Sequence, residues 1–387
     1  MVAILDKFLN RISPAYHQRS LTAHFRPPTG VPGSQTGPRV LFIPFYTDPL
    51  FLARETFFAK ALEWRGARTA LLYADCHISP TERGELPAKL GFRHPVLAGG
   101  ARLLDHLHQE GLPVSKFYRP TDRNSRQREL RELTPEDLES YHYRDIHLGD
   151  LAVSSSVRIL MSMGPEWDNP TYRSLVLDLL CTGIELVDTF YRAYDDYRPD
   201  RIVMSHAIYL TWGVAFRVAR QLDILTLVYN GSYRRDTLRM YVNVPNAPFP
   251  EAEWPRFRGV ALTDVERRWA EKYLASRAHL EGEAHDLFGG EDFPADLSSF
   301  IQQSKAEGKR LATLFTNMSW DAYAFSGTGA FASMVDWANA TLEFARSNPE
   351  LRLIFKIHPA EAYWGVPEAY RIRNHLVDIP ANVFLLT

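Results

Sequence analysis

Hydrophobic residues follow two different spacings along the chain, and the two spacings alternate. Short apolar runs lie at 40–45, 69–73, 201–205 and 225–229. These runs predict buried strands, because they are too short for helices. Longer stretches with apolar residues on one face lie at 51–64, from Val176 to Tyr194 and at 212–222, and charged helical pieces are predicted around 98–110 and 134–148. An alternation of strands and helices is typical of a parallel, Rossmann-like sheet.

The same alternation begins again near the end of the chain. Strands are predicted at 311–315, 351–357 and 382–386, and a helix is predicted at 331–346. Before them, residues 241–260 carry four prolines, and a helical stretch at 263–279 begins with a capping box of Thr263 and Glu266. The sequence therefore predicts an α/β protein with two Rossmann-like units that face a cleft and are joined by a helical hinge.

These patterns divide the chain into four predicted segments. Residues 1–38 form an amphipathic helix and a connector rich in proline and glycine, and 39–260 form the first Rossmann-like unit. Residues 261–308 form the hinge, and 309–387 form a partial second unit. We expect that unit to be incomplete, because no helix follows the last strand to cover it. The chain is then expected to be a piece of a longer protein, with a naturally small second lobe as the alternative.

Composition narrows the classes of protein to which the chain can belong. Of its 387 residues 45% are hydrophobic and 23% are charged, as in soluble globular proteins, and a net charge of −2 gives no basis for nucleic-acid binding. The two cysteines, Cys76 and Cys181, lack metal-ligand or redox spacing. No apolar run reaches 18 residues, and the amphipathic first helix lacks the features of a signal peptide. We expect a cytoplasmic protein, with peripheral attachment to the membrane as the alternative.

A candidate ligand site follows the strand predicted at 351–357. Lys356 and His358 lie two residues apart, and Pro359 can open a helix that has Glu361 in its first turn. A lysine, a histidine and a helix N-terminus at the carboxyl end of a parallel strand favour an anionic ligand such as a phosphate.

A polar loop follows the preceding parallel strand. Its members are Thr316, Asn317, Ser319 and Asp321. Their side chains and the backbone N–H groups suit a phosphate or a hydroxyl group, and they equally suit a capped turn. Because neighbouring parallel strands end at the same edge of a sheet, we expect the two loops to lie together. No P-loop and no Asp-x-Asp pair occurs, so the sequence predicts no metal site and no cofactor.

In the first unit, polar residues follow several of the predicted strands. His206 comes directly after the strand at 201–205, and Asp75 and Asp48 follow two others. Each could act as a general base, and each could instead be a capping or hydrogen-bonded residue. We prefer His206 because it directly follows its strand. Residues that could contact a ligand in the predicted cleft are Tyr209, Asn230, Ser232 and Arg234.

The segment 311–362 resembles the capsule polysaccharide biosynthesis proteins, which include glycosyltransferases of the GT-B type. The resemblance lies in Leu314–Ala322, in Phe331 with Met334–Trp337, and in Ile354–Glu361, and continues more loosely into Ser205, His206, Tyr209 and Gly213. In related bacterial transferases that use CMP-activated sugars, a His-Pro pair contacts the donor nucleotide, and His358-Pro359 matches that pair. A GT-B C-terminal domain normally continues through further strands, whereas this chain stops at Thr387.

The resemblance implies a metal-independent glycosyltransferase of capsule or surface-polysaccharide assembly, inactive if the chain is a fragment. It implies a nucleotide-sugar donor held by Lys356, His358, Glu361 and the Thr316–Asp321 loop, and a glycan acceptor in the first unit. It also allows contact with the inner membrane or an export complex. Two alternatives stay open: another GT-B enzyme, such as a sugar-nucleotide epimerase, and a non-catalytic subunit that binds a nucleotide or a glycan.

Overall fold

The structure is a computed structural model, and it describes residues 36–45, 49–78, 80, 104–105, 108–231, 238–245, 255, 258–278, 294–321 and 330–386. The chain divides into two compact units. Unit 1 comprises Met1–Leu160 and Pro165–Asn246, and unit 2 comprises Met161–Gly164 and Ala247–Thr387. Most of the predicted N-terminal helix and connector, 1–35, lies outside the described residues. The four predicted segment boundaries stay predictions.

Unit 1 is built on a six-stranded sheet. Its strands, together with a separate two-stranded hairpin, are β1 (Arg39–Phe45), β2 (Arg68–Tyr73), β3 (Gly111–Pro113), β4 (His142–Tyr143), β5 (Ile146–His147), β6 (Arg201–Ser205), β7 (Leu225–Gly231) and β8 (Leu238–Val242). The sheet order is β3-β2-β1-β6-β7-β8; β8 is antiparallel to β7, and the other pairs are parallel. The predicted Rossmann-like alternation is confirmed. The strand order reverses between β1 and β6, the switch point at which open α/β sheets bind ligands.

Helices cover both faces of this sheet. The described helices of unit 1 are α1 (Pro49–Glu63), α2 (Arg123–Arg131), α3 (Pro135–Glu139), α4 (Gly149–Leu160), α5 (Pro170–Tyr197) and α6 (Leu210–Gln221). On one face, Leu52 and Ala59 of α1 pack with Phe42, Val203 and Tyr229 in a single hydrophobic core.

The helix α5 matches the long amphipathic helix that the sequence predicts. Asn169 caps its N-terminus by accepting from the Thr171 N–H at 3.0 Å, and Pro170 occupies the first helical position. Arg198 ends it with a left-handed φ of 51°. The helix packs against α4 and α6. Neither α5 nor any other helix in the described part of the chain is long and apolar enough to cross a membrane.

The prediction of a helix around 134–148 is wrong for most of these residues. The helix α3 ends at Glu139, and β4 and β5 then form a hairpin. Its turn residues, Arg144 and Asp145, have positive φ angles of 49° and 62°. That geometry resembles a type I′ turn, which favours Asn-Gly. Because neither residue is a strong signal for such a turn, the hairpin is not evident in the sequence.

Unit 2 contains a parallel, three-stranded sheet with helices on its two faces. Its described α-helices and strands are α7 (Asp264–Ala278), α8 (Ala295–Ala306), β9 (Arg310–Phe315), α9 (Met334–Ser347), β10 (Leu351–Lys356), α10 (Ala360–Tyr363) and β11 (Val383–Leu386). The sheet order is β11-β10-β9. The predicted capping box before α7 is present: the Glu266 N–H donates to Thr263 Oγ1 at 3.3 Å, and the Thr263 N–H donates to the Glu266 carboxylate at 2.8 Å.

The two faces of this sheet are covered by different helices. On one face, Leu342 of α9 packs with the register partners Leu314 and Phe355. On the other, the Phe300 ring of α8 lies 5.5 Å from the Phe384 ring of β11. Unit 2 is therefore an α/β unit with its own core, as the fold class predicts.

Candidate functional site

The two polar loops of unit 2 meet at the carboxyl end of β9 and β10. The last residues of these strands, Phe315 and Lys356, are register partners. The Thr316 N–H donates to the Lys356 carbonyl oxygen at 3.0 Å, and the His358 N–H donates to Thr316 Oγ1 at 2.9 Å. The buried Thr316 side chain thus joins the two loops at one edge of the sheet.

His358 is held in one orientation by its own loop. The Ala360 N–H donates to His358 Nδ1 at 3.1 Å, so the neutral ring carries its proton on Nε2. Burial and the charge of Lys356 lower the pKa of His358, while Asp321 acts in the opposite direction. At neutral pH the imidazole is therefore uncharged, with Nε2–H as its donor.

Lys356 and Phe315 place a cation beside an aromatic ring. Register partners on neighbouring strands project from the same face of a sheet, and here that face is the one that α8 partly covers. Phe315 is 71% exposed. The Lys356 ammonium forms no hydrogen bond or ion pair with a described residue. An exposed ring next to a cation suits a ligand that combines a planar base with phosphate. Phe315 is not among the candidate site residues predicted from the sequence, in which it is the last residue of a predicted strand.

The rest of the polar loop after β9 is partly engaged by the protein itself. The Ser319 hydroxyl donates to the Ser162 carbonyl oxygen at 3.4 Å. Asn317 is exposed, and Asp321 lies close enough to His358 to influence its pKa. Asn317 is therefore better placed than Ser319 to contact a ligand; the binding roles of Asn317, Ser319 and Asp321 stay predictions.

Glu361 is engaged by a neighbouring segment of unit 2. Its Oε1 accepts from the Ile372 N–H at 3.3 Å. Burial raises the pKa of Glu361, and this backbone hydrogen bond and the charges of Arg371 and His375 counteract the rise. The Glu361 carboxylate thus helps to hold the segment 371–375 in place. Its contact with a nucleotide-sugar stays a prediction.

The helix that follows Pro359 is present, as the sequence predicts, but it is too short to supply a helix dipole. It is α10, a single turn of four residues, which Gly365 follows with a φ of 68°. Because a macrodipole needs several aligned turns, the expected attraction of a helix N-terminus for an anion does not apply here. Positive charge at this site comes from Lys356.

His206 lies at the switch point of unit 1, directly after β6. His206 and Ala207 both adopt left-handed conformations, with φ angles of 50° and 56°, which cost free energy in residues other than glycine. The His206 N–H donates to the Tyr229 carbonyl oxygen at 3.3 Å, and its Nδ1 is hydrogen-bonded to Ser205 Oγ. The half-exposed ring lies 6.0 Å from the Trp212 ring. Strained backbone that holds a histidine at a switch point is typical of functional sites.

Asp75 fixes a turn. Ser115 donates to both of its carboxylate oxygens, from the backbone N–H at 2.8 Å and from Oγ at 2.5 Å. Burial, followed by the charge of Asp75, raises the pKa of the neighbouring Cys76 to about 11, so this thiol is not a nucleophile at neutral pH. Among the described residues, no three His, Cys, Asp or Glu side chains are placed to share a metal ion.

The other residues predicted in unit 1 are dispersed. The Tyr209 hydroxyl accepts from Arg158 at 2.8 Å, and the Arg158 guanidinium lies 4.4 Å from the buried Tyr209 ring. At the end of β7, Asn230 Oδ1 accepts from the Gly231 N–H at 2.8 Å. Three predicted residues lie outside the described part of the chain: Asp48, Ser232 and Arg234. Of the predicted cleft residues, Asn230 directly follows Tyr229, which is the register partner of Ser205 at the end of β6.

Comparison with solved structures gives weak similarities, two of which are described below. No protein-family model matches the chain, and no curated protein sequence matches it. The chain is similar to a UDP-GlcNAc 2-epimerase from Neisseria meningitidis bound to UDP-GlcNAc, at 8% identity and a TM-score of 0.26, over 90% of this chain and 71% of that one. It is also similar to a glycotransferase of kitacinnamycin, at 12% identity and a TM-score of 0.22, over 90% of this chain and 70% of that one. TM-scores this low do not establish a common fold.

Proposed function

We propose that the protein is a glycosyltransferase of the GT-B type that uses a nucleotide-sugar donor. The observation that carries the proposal is the meeting of a cation, a neutral histidine and an exposed aromatic ring at one edge of the unit 2 sheet. These are Lys356, His358 and Phe315. Together they suit the phosphate groups and the base of a nucleotide. The resemblance of residues 311–362 to capsule polysaccharide biosynthesis proteins supports the same interpretation.

The donor is assigned to unit 2. The Lys356 ammonium and His358 Nε2–H donate to phosphate oxygens, and they stabilise the negative charge that develops on the leaving phosphate. Phe315 stacks on the base. Asn317 and Asp321 are the nearby polar side chains for the sugar hydroxyl groups.

The acceptor glycan and the general base are assigned to unit 1. The acceptor oxygen forms a bond to the anomeric carbon, the bond from that carbon to the phosphate oxygen breaks, and the hydroxyl proton passes to His206. In the tautomer whose Nδ1–H donates to Ser205 Oγ, Nε2 is the nitrogen that takes the proton. Asp75 is the less suitable base, because Ser115 engages both of its oxygens. A role in capsule or surface-polysaccharide assembly rests on the resemblance.

Alanine at Lys356 or at His358 should weaken nucleotide binding. Each change removes one hydrogen bond to a charged group, which corresponds to about 1.5–3 kcal/mol, or roughly 10- to 150-fold in Kd. Phe315→Leu should cost about 1–3 kcal/mol through the loss of stacking. Isothermal titration calorimetry with CMP, UDP and GDP measures these effects and identifies the preferred base.

The matched control for these variants is Lys305→Ala, which removes an exposed lysine in the last turn of α8. Its nucleotide affinity should equal that of the wild type, and circular dichroism should show that all the variants are folded. Wild-type affinity in folded Lys356→Ala and His358→Ala variants would contradict the donor site.

Sugar transfer should proceed without a metal ion. The chain has no Asp-x-Asp pair of the kind that binds a metal ion coordinated by the diphosphate of a nucleotide-sugar. Excess EDTA should therefore leave the initial rate of nucleotide release unchanged in the presence of donor and acceptor. Loss of activity in EDTA, with recovery on addition of Mn²⁺ or Mg²⁺, would contradict this mechanism. Tight nucleotide binding without any turnover would favour a non-catalytic subunit.

A further inference from the structure

A cavity of about 330 Å³ opens in unit 1 beside the amino ends of β1 and β2, at the opposite edge of the sheet from His206. The first residues of the two strands, Arg39 and Arg68, line it and are register partners. Tyr197, at the end of α5, forms part of the wall. The volume lies in the range of small-molecule sites.

The two arginines place two positive charges side by side. Register partners project from the same face of a sheet, and like charges in such positions repel each other. Neither guanidinium forms an ion pair with a described residue; the Arg39 guanidinium instead lies 4.8 Å from the centroid of the Tyr197 ring. An anion bound between Arg39 and Arg68 would remove this repulsion.

The lining of the cavity also includes a third cation, Lys116, and two carboxylates, Asp196 and Glu110. Lys116 lies on the rim, where its ammonium donates to Asp196 at 2.8 Å. The Glu110 carboxylate, also on the rim, forms no ion pair with a described residue. A carboxylate there repels a second anionic group but accepts hydrogen bonds from hydroxyl groups. The lining therefore suits a ligand with one anionic end and one hydroxyl-bearing end.

We propose that this cavity is a second ligand site, which binds a phosphate monoester of a small polyhydroxy molecule, the chemical class of the sugar phosphates. The dianionic phosphate lies between Arg39 and Arg68, whose planar guanidinium groups can each donate two parallel hydrogen bonds to phosphate oxygens. The hydroxyl groups of the ligand donate to Glu110. The proposal does not depend on the glycosyltransferase assignment, because its residues lie in unit 1 and the donor residues lie in unit 2.

The test is the binding of glucose 6-phosphate to the full chain, measured by isothermal titration calorimetry at constant ionic strength. Inorganic phosphate and glucose serve as partial probes. The wild type should bind glucose 6-phosphate more tightly than phosphate, and should not bind glucose measurably. The double variant Arg39→Gln/Arg68→Gln should weaken glucose 6-phosphate binding at least tenfold. Lys356→Ala/His358→Ala should bind it as the wild type does, which separates this site from the donor site.

The matched control is Arg201→Gln. Arg201 is the exposed first residue of β6 at the same sheet edge, and it does not line the cavity. If Arg201→Gln weakened glucose 6-phosphate binding as much as the double variant does, the ligand would be held only by the general positive charge of this surface. That result would overturn the proposal. So would failure of the wild type to prefer glucose 6-phosphate over glucose, or loss of binding only in the donor-site variant.

If the two arginines had only a structural role, their replacement would change the melting temperature and not the ligand affinity. Cations near the last turn of α5 can stabilise the negative end of its dipole. In that case Arg39→Gln/Arg68→Gln would lower the melting temperature and leave the affinity unchanged, which would overturn the ligand site. If the double variant does not fold, Arg68→Gln alone replaces it, because Arg68 is exposed. This single change should weaken glucose 6-phosphate binding at least threefold.

Discussion

Replacing Arg123 by methionine should lower the free energy of unfolding by about 3 kcal/mol. Arg123 Nη2 donates to Glu185 Oε2 at 2.6 Å, and the Glu185 side chain on α5 is 0% exposed, against 27% for Arg123. Methionine keeps much of the aliphatic length of arginine and removes its charge. The buried carboxylate then loses its counter-charge, which costs far more than breaking an exposed pair. Urea denaturation at pH 7 measures the loss.

Glu185 retains other donors in this variant, so we expect the lower end of the range for buried pairs. The Tyr118 hydroxyl donates to it at 2.8 Å, and the Thr121 N–H donates at 3.0 Å. The control is Arg126→Met on the same helix, whose exposed pair with Glu129 should contribute less than about 1 kcal/mol. Equal losses in the two variants would contradict the assigned role of the buried pair.

The same pair should make the protein sensitive to acid. Burial acts to raise the pKa of Glu185, but hydrogen bonds from Arg123, Thr121 and Tyr118 together hold it below its ordinary value of 4.5. A carboxyl group with a depressed folded pKa stabilises the protein above its unfolded pKa, and that contribution is lost as the pH falls through the folded pKa. The stability difference between wild type and Arg123→Met should therefore be complete at pH 7 and shrink below pH 4.5.

The helices and strands that could be predicted are those whose buried residues form a regular pattern of apolar positions in the sequence. Residues 41–43 of β1 are fully buried, so the strand is a continuous apolar run, and one face of α5 is apolar over seven turns. The strand β3 could not be predicted, because Gly-Leu-Pro has low strand propensity and is extended here by pairing with β2. The edge strand β8 is only half-buried, and its antiparallel pairing with β7 leaves no distinct pattern.

The candidate donor site was predictable in outline but not in detail. Loops that follow neighbouring parallel strands lie at one edge, so the approach of Thr316 to His358 follows from the strand order. The 71% exposure of Phe315 does not, because it depends on how far α8 extends over the sheet. The tautomer of His358 depends on the 3.1 Å hydrogen bond from the Ala360 N–H, which only the loop conformation determines. The length of α10 depends on Gly365, whose left-handed φ follows the end of the turn.

The strongest loss of stability as the pH rises from 4.5 to about 8 should come from a single carboxyl group, Glu55 on α1. The Tyr229 hydroxyl donates to Glu55 Oε1 at 2.6 Å, and Oε2 has no hydrogen-bond partner among the described residues. Burial raises the pKa of Glu55 to about 8, although the Tyr229 hydrogen bond and the charge of Arg54 act to lower it. The carboxyl group is therefore protonated in the folded protein at neutral pH.

Glu55→Gln should remove this dependence. A group whose folded pKa is raised gives stability that is fully present below its unfolded pKa of 4.5 and is lost as the pH rises through about 8. Each pH unit in that window changes the unfolding free energy by about 1.4 kcal/mol. The stability of the variant relative to wild type should thus rise by roughly 4–5 kcal/mol across the window. Urea denaturation of both proteins at several pH values measures the difference.

The Glu55→Gln variant should be less stable than the wild type at low pH and more stable than the wild type at high pH. Its amide adds a buried donor without a partner, so it should be about 1–2 kcal/mol less stable than wild type near pH 4.5. It should be the more stable protein at pH 8. Tyr229→Phe removes the hydrogen bond that lowers the pKa of Glu55, so it should extend the wild-type decline to higher pH. Parallel pH profiles for wild type and Glu55→Gln would show that Glu55 does not carry this proton. Tyr229 thus contacts Glu55 through its hydroxyl group and the candidate base His206 through its backbone carbonyl oxygen.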